Sequence, residues 1–127
     1  MNVVDSSGWL EYFADGPNAD FFAPAIEDTD NLIIPSISIF EVFKRVLQQR
    51  NESDALQVVA LMLQGRVIQL DTAIALEAAK ISVDKKLPMA DSVILATAYL
   101  HNAVLWTQDG DFDGLDRVNY KSKGSVP

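Results

Sequence analysis

The chain contains no cysteine. That excludes a disulfide framework, a thiol nucleophile and a thiolate metal site, and it fits a reducing, cytoplasmic setting. It holds one histidine, His101, beside Asn102 at an expected helix end, so catalysis by a histidine pair is excluded. No apolar run approaches the length of a membrane span. The opening MNVVDSSGWL has no basic region ahead of a long apolar stretch and does not read as a signal peptide. A glycine-rich phosphate loop of the GxxxxGKS kind is also missing. Positive charge is scarce, with 10 basic residues against 18 acids and a net charge of −8. Setting aside four acids as site residues still leaves 14 against 10. The bulk field therefore repels a polyanion, and any nucleic acid must be held by local bases and by a cation.

What the chain does have is apolar residue, nearly half of 127 positions. That length and composition predict one domain able to bury a core without staples. Short apolar runs predict strands at Asn2 to Val4, Asn31 to Pro35, Val67 to Leu70, Ala103 to Trp106 and Val118 to Tyr120. Between them, Ser6 or Ser7 is expected to cap a helix that stops at Gly16, and Pro17 to open a second carrying Phe21, Phe22 and Ile26. Further helices are expected at Ile37 to Arg50, Ser53 to Gly65, Ala73 to Asp84 and Pro88 to His101. Lys121 to Pro127 reads as a polar tail. Strands alternating with helices imply an α/β fold of three layers, a mostly parallel sheet of about five strands flanked by helices.

Sheets of this kind place their chemistry beyond the carboxyl ends of the strands. Four acids are expected there. Asp5 and Asp109 follow the first and fourth strands, and Glu41 and Asp91 fall in what should be first helical turns. Each has a purely structural reading. Asp5, Ser6 and Ser7 can cap a helix. Ser38-Ile-Phe-Glu41 fits a capping box. Asp91 can favour the positive end of its helix, and Asp109 and Asp111 suit a turn. Taken together, four acids at such junctions point to a cage of hard oxygen ligands of the type Mg²⁺ or Mn²⁺ uses on a phosphodiester. Glu41 argues this best. Its neighbours Ile37, Phe40, Val42 and Phe43 are apolar, and a carboxylate so placed is costly without a partner or a cation.

These motifs resemble the PIN domain, and in particular the compact ribonucleases of the VapBC toxin–antitoxin type. VVDSSGWLEYF resembles that family's first strand and acid, Asp5. Ser36-Ile-Ser-Ile-Phe-Glu41 is similar to its second motif, Leu87-Pro-Met-Ala-Asp91 with the following SVILATA to its third, and Thr107-Gln-Asp109-Gly-Asp111-Phe112 to its fourth. The resemblance runs through nearly the whole chain. It implies a Mg²⁺- or Mn²⁺-dependent ribonuclease with one or two ions, an RNA substrate, a homodimer and a cognate antitoxin. Asp5, Glu41, Asp91 and Asp109 would be the catalytic metal ligands, with Ser6, Thr107 and Asp111 supporting them. Asp109 and Asp111 could exchange roles. A binding module of the same fold without catalysis is the alternative.

Among the bases, Lys44 and Arg45 follow Glu41 by three and four residues, and Lys85 and Lys86 precede the Asp91 motif. They are the candidate phosphate contacts, with solvated surface charge as the plain alternative. The Ser53 to Gly65 segment is apolar around its whole circumference, so it is either a core helix or one that meets an antitoxin or second subunit. Two other folds are set aside. Asp109-Gly-Asp111-Phe-Asp113-Gly114 copies the start of a calcium loop, but Tyr120 stands where its bidentate Glu belongs. A receiver domain would need an acidic pair after the first strand, and partners for Asp71.

Overall fold

The computed structural model describes residues 1–124, so the end of the expected polar tail lies outside the described residues. Five strands form one sheet in the order β3-β2-β1-β4-β5: β1 Asn2–Val4, β2 Leu32–Pro35, β3 Arg66–Ile68, β4 Val104–Thr107 and β5 Val118–Tyr120. Every pairing is parallel. The order reverses direction at β1, which lies between β2 and β4 (Val3 opposite Ile33 and Leu105). Side chains alternate across the sheet and divide the core in two. Val3, Ile33 and Leu105 face α5 (Thr72–Lys85) and α6 (Met89–Leu100). Val4, Leu32 and Ile34 face α1 (Ser6–Phe13), α2 (Ala19–Glu27), α3 (Ser36–Gln49) and α4 (Glu52–Met62). This is the expected three-layer architecture. No helix among the described residues is long and apolar enough to cross a membrane.

Helix starts differ from expectation at several places, with side-chain caps at α1, α4 and α5 and none at α2 or α3. Asp5, not Ser6 or Ser7, caps α1, its Oδ1 accepting from the Ser7 and Gly8 amides. Helix α2 opens at Ala19 rather than Pro17, and Asn18 takes the position before it. Asn51 caps α4 by accepting from the Asp54 amide at 2.8 Å, and Asp71 caps α5 through the Ile74 amide at 2.9 Å. Helix α3 begins at Ser36 behind Pro35, which places Glu41 in its second turn instead of its first. The capping box therefore does not form, and the Ser38 hydroxyl is buried without a hydrogen-bond partner among the described residues.

Two apolar helices meet different fates. Ser92 to Ala98 of α6 are buried on every side, because α6 runs between the sheet and α5. Helix α4 buries only Ala55 and Met62 and leaves Leu56 and Leu61 exposed, with Leu63 exposed just beyond it. It is not a core helix.

Helix α1 must lie close to the sheet to hold Asp5 at the strand end, and Gly8 permits that. A Cβ at Gly8 would lie 2.6 Å from Phe22 Cε1 and 2.7 Å from Val4 Cγ1. Alanine there gains about 1 kcal/mol of helix propensity, but overpacking costs about 1–3 kcal/mol. Gly8→Ala is expected to lower the urea midpoint, with a net loss of up to about 2 kcal/mol. A midpoint at or above wild type would show that α1 can shift freely.

Candidate metal centre

The C-terminal ends of β1 and β4 lie side by side, with Val4 opposite Trp106 and the Asp5 amide donating to the Trp106 carbonyl at 3.0 Å. The chain leaving each strand thus delivers an acid to the same end of the sheet. Asp5 and Asp109 meet there with Glu41 from α3 and Asp91 from the first turn of α6. They line a cleft of about 280 Å³ together with Ser6, Ser7, Leu10, Arg45 and Ile94. All four expected acids converge.

Asp5 is buried, and its oxygens are divided between two tasks. Oδ1 takes the Ser7 amide and hydroxyl, both at 2.6 Å, and the Gly8 amide at 3.2 Å. Oδ2 accepts from Thr107 Oγ1 at 2.5 Å. Burial raises its pKa, and the hydrogen bonds from Ser7, Thr107 and Gly8 pull the other way. Asp5 thus caps α1 and lines the cleft at once. Thr107 Oγ1 in turn accepts from the Asp109 amide at 2.9 Å, so one hydroxyl links two acids. Ser6 Oγ donates to Glu41 Oε1 at 2.6 Å and so ties α1 to α3.

Asp91, Asp109 and Asp111 can each present a carboxylate oxygen within 4.8 Å of the other two. Asp111 thereby stands with the acids and not merely behind them, while its amide donates to Asp109 Oδ1 at 2.9 Å. Asp109 to Phe112 form a short 3₁₀ turn after a strand, not the helix-flanked loop of a calcium module. Asp71, the receiver-type alternative, is spent capping α5.

The cluster repels itself. Burial, then Asp109, Asp5, Glu41 and Asp111 in turn, push the Asp91 pKa up to about 7. Such a donor set, all hard oxygen and crowded enough to hold a proton near neutrality, fits a divalent cation of the Mg²⁺ or Mn²⁺ class. It also predicts a pH dependence. In the unfolded chain Asp91 releases its proton near 3.8, and in the folded chain near 7. Folding therefore retains a proton across that window, and stability without added cation falls as pH rises from about 4 to 7. Allowing for solvent screening of a half-exposed group, the Asp91 share is on the order of 1–2 kcal/mol. Comparing wild type with Asp91→Asn in chelator at pH 4.5 and pH 8 isolates it. Parallel pH profiles would contradict the repulsion.

The bases separate. Arg45 lines the cleft. Lys44, one residue earlier, lies over the Phe40 ring at 5.6 Å. Lys85 lies 3.8 Å from Asp84, and Lys86 closes α5 in the left-handed region; neither lines the cleft. His101 ends α6, its amide donating to the Thr97 carbonyl, as its position implied. Ser7 went unassigned as a site residue, although a serine next to the capping acid signals its contact with Asp5.

A search of curated protein sequences returns no match. Solved structures of the same fold are numerous. The chain is similar to a toxin–antitoxin complex from Klebsiella pneumoniae, with 26% identity, 94% of this chain and 96% of that one covered, and a TM-score of 0.77. FitAcB from Neisseria gonorrhoeae is 22% identical over 94% and 96% of the two chains, with a TM-score of 0.72. VapC20 from Mycobacterium tuberculosis, described as a sarcin–ricin loop cleaving toxin, is 14% identical over 91% and 95%, with a TM-score of 0.74. The PIN domain family model matches residues 3–118, a span that contains every acid of the cleft. With the parallel sheet and the converging carboxylates, that match establishes that the chain belongs to the PIN domain family.

Proposed function

We propose that the chain is a single-domain, Mg²⁺- or Mn²⁺-dependent ribonuclease that acts in the cytoplasm as the toxin of a toxin–antitoxin pair. The observation that carries this reading is the carboxylate cluster at the end of a parallel sheet, with oxygens of Asp91, Asp109 and Asp111 within 4.8 Å of one another and the Asp91 pKa pushed to about 7 by burial and by its acidic neighbours. Asp91, Asp109, Glu41 and Asp5 would hold the cation, and Asp111, whose carboxylate groups with those of Asp91 and Asp109, would join them. When bound, such a cation neutralises charge on a phosphodiester and acidifies water for attack in line with the leaving oxygen.

The chain's own residues do the rest. Ser6 fixes one oxygen of Glu41 and leaves the other free to accept a proton from attacking water. Burial leaves the Asp5 pKa raised, and Ser7 and Thr107 oppose that by donating to the carboxylate, which favours its ionised form. Arg45 offers the cleft a guanidinium suited to a phosphate oxygen. Lys44, Lys85 and Lys86, outside the cleft lining, would act at most on flanking phosphates. In a chain so acidic, the substrate is held locally or not at all.

For partners, we place the cognate antitoxin against α4. Its exposed Leu61 lines a groove of about 350 Å³ between α1, α3 and α4, together with Leu10, Phe13, Val46 and Val58, and Leu56 is exposed on the same helix. A homodimer is part of the same reading, supported by exposed apolar residues elsewhere on the surface, such as Leu76, Val83 and Met89. Thermal denaturation with increasing Mn²⁺ tests the metal assignment without a substrate. A rising midpoint is expected in wild type, and none in Asp91→Asn. Equal response by both proteins would contradict it.

A further inference from the structure

A second line of contacts reaches the Asp109 turn from the far side. Asn18 and Gln108 are 90 residues apart in sequence and are both buried, 3% and 7% exposed. Asn18 Nδ2 donates to Gln108 Oε1 at 3.0 Å and to the Ser122 carbonyl at 3.0 Å. The Asn18 backbone is itself held, its amide donating to Glu11 Oε2 at 2.8 Å. Glu11 belongs to α1, the helix whose N-terminus is capped by Asp5 and carries Ser6. Gly16 leaves room for that carboxylate, since a Cβ there would lie 2.3 Å from Glu11 Oε1.

Gln108 stands between the two residues that matter most at this end of β4. Thr107 bonds Asp5, and Asp109 bonds back to Thr107. Beyond β5 the chain is drawn in as well, with the Lys121 amide donating to the Thr107 carbonyl at 3.0 Å. A buried amide pair here costs desolvation and is not needed to form either strand. What it does is connect the body of α1 to the turn that aims Asp109.

We propose that Asn18 and Gln108 form a strut that positions Asp109 for cation binding. Neither residue touches the cleft, so both are positioning residues acting through the Thr107–Asp109 turn. This rests on the reading of the cleft as a metal centre. Partners bonded directly to metal ligands are worth about 10–100-fold in metal affinity or activity, and a strut one contact further back belongs at the low end of that range.

The test uses Asn18→Ala, Gln108→Ala and the double variant, each assayed below its unfolding temperature. Mn²⁺ affinity is measured by calorimetry, amide hydrogen exchange by NMR, and kcat and KM on RNA. Each single variant is expected to weaken Mn²⁺ binding about tenfold and lower kcat similarly, with KM unchanged. The double variant should be no worse than the more severe single, because the two act as one contact. Exchange at the Asp109 and Asp111 amides should quicken while the α1 amides stay protected. Folded variants with wild-type Mn²⁺ affinity and wild-type exchange at Asp109 would overturn the strut. Wild-type protein that binds no Mn²⁺ would overturn the metal reading instead, and exchange at Asp109 would still decide whether the strut holds the turn.

Discussion

Asp91→Asn is expected to lower RNA cleavage at least about 1,000-fold while making the cation-free protein more stable at pH 8. The two effects share one cause. Asp91 is the acid that all the others press upon, its pKa pushed to about 7 first by burial and then by Asp109, Asp5, Glu41 and Asp111. Asparagine keeps the shape and removes the charge. The cost of burying the charge and the repulsion then disappear together, and so does the proposed metal ligand. A gain on the order of 1–2 kcal/mol corresponds to a midpoint rise of about 4–8 °C for a chain of this size. Circular dichroism in chelator and a cleavage assay with Mn²⁺ measure both. A fully active variant, or an inactive one that is less stable than wild type, would contradict the charge-repulsion account of this site.

Thr107→Val should do harm out of proportion to its size. Valine nearly matches threonine in volume but removes a hydroxyl that donates to Asp5 Oδ2 and accepts from the Asp109 amide. Thr107 is fully buried and Asp5 nearly so, and their hydrogen bond is closed to solvent, while the bond from the half-buried Asp109 amide is partly shielded. Leaving these partners unmatched costs about 1–3 kcal/mol of stability. Activity should fall about 10–100-fold, since two of the four acids lose their common link. Thr107→Ser keeps the hydroxyl and should recover most of the activity despite losing a methyl group from the core. Urea denaturation and steady-state rates of the pair read this out. Equal activity in the valine and serine variants would show that the hydroxyl does not matter.

Those two residues also show what could be read in the chain and what could not. The strands announced themselves, because Val3 to Val4 and Leu32 to Ile34 are short apolar runs buried on both faces. Asp5 and Asp109 followed from strand ends, since a parallel sheet delivers its loops to one edge. Glu41 was expected in the first turn of a helix from Ile37, whereas the helix starts at Ser36 behind Pro35 and puts Glu41 in its second turn. The capping box, its structural alternative, does not form, and Ser6 becomes the partner of Glu41. Apolar content alone did not tell α6 from α4. Both read as apolar on several sides, yet α6 is enclosed and α4 faces outward, because burial depends on neighbours that periodicity does not contain. Lys44 and Arg45 differ by one residue and about 100° of helix, enough to put one on Phe40 and the other in the cleft. The Asn18–Gln108 bond left no local signal at all, since its two ends meet only in the folded chain.

The central claim, that these carboxylates make a metal-dependent ribonuclease, is tested most directly by cleavage of a panel of structured RNAs. Purified wild-type protein is assayed with Mg²⁺ or Mn²⁺, with chelator, and with the cation restored, beside Asp5→Asn. The account predicts cleavage that requires the cation, returns when it is restored, and is lost in the variant. Cleavage that persists in chelator or in Asp5→Asn would contradict it, as would wild-type protein that neither binds Mn²⁺ nor cuts any RNA of the panel.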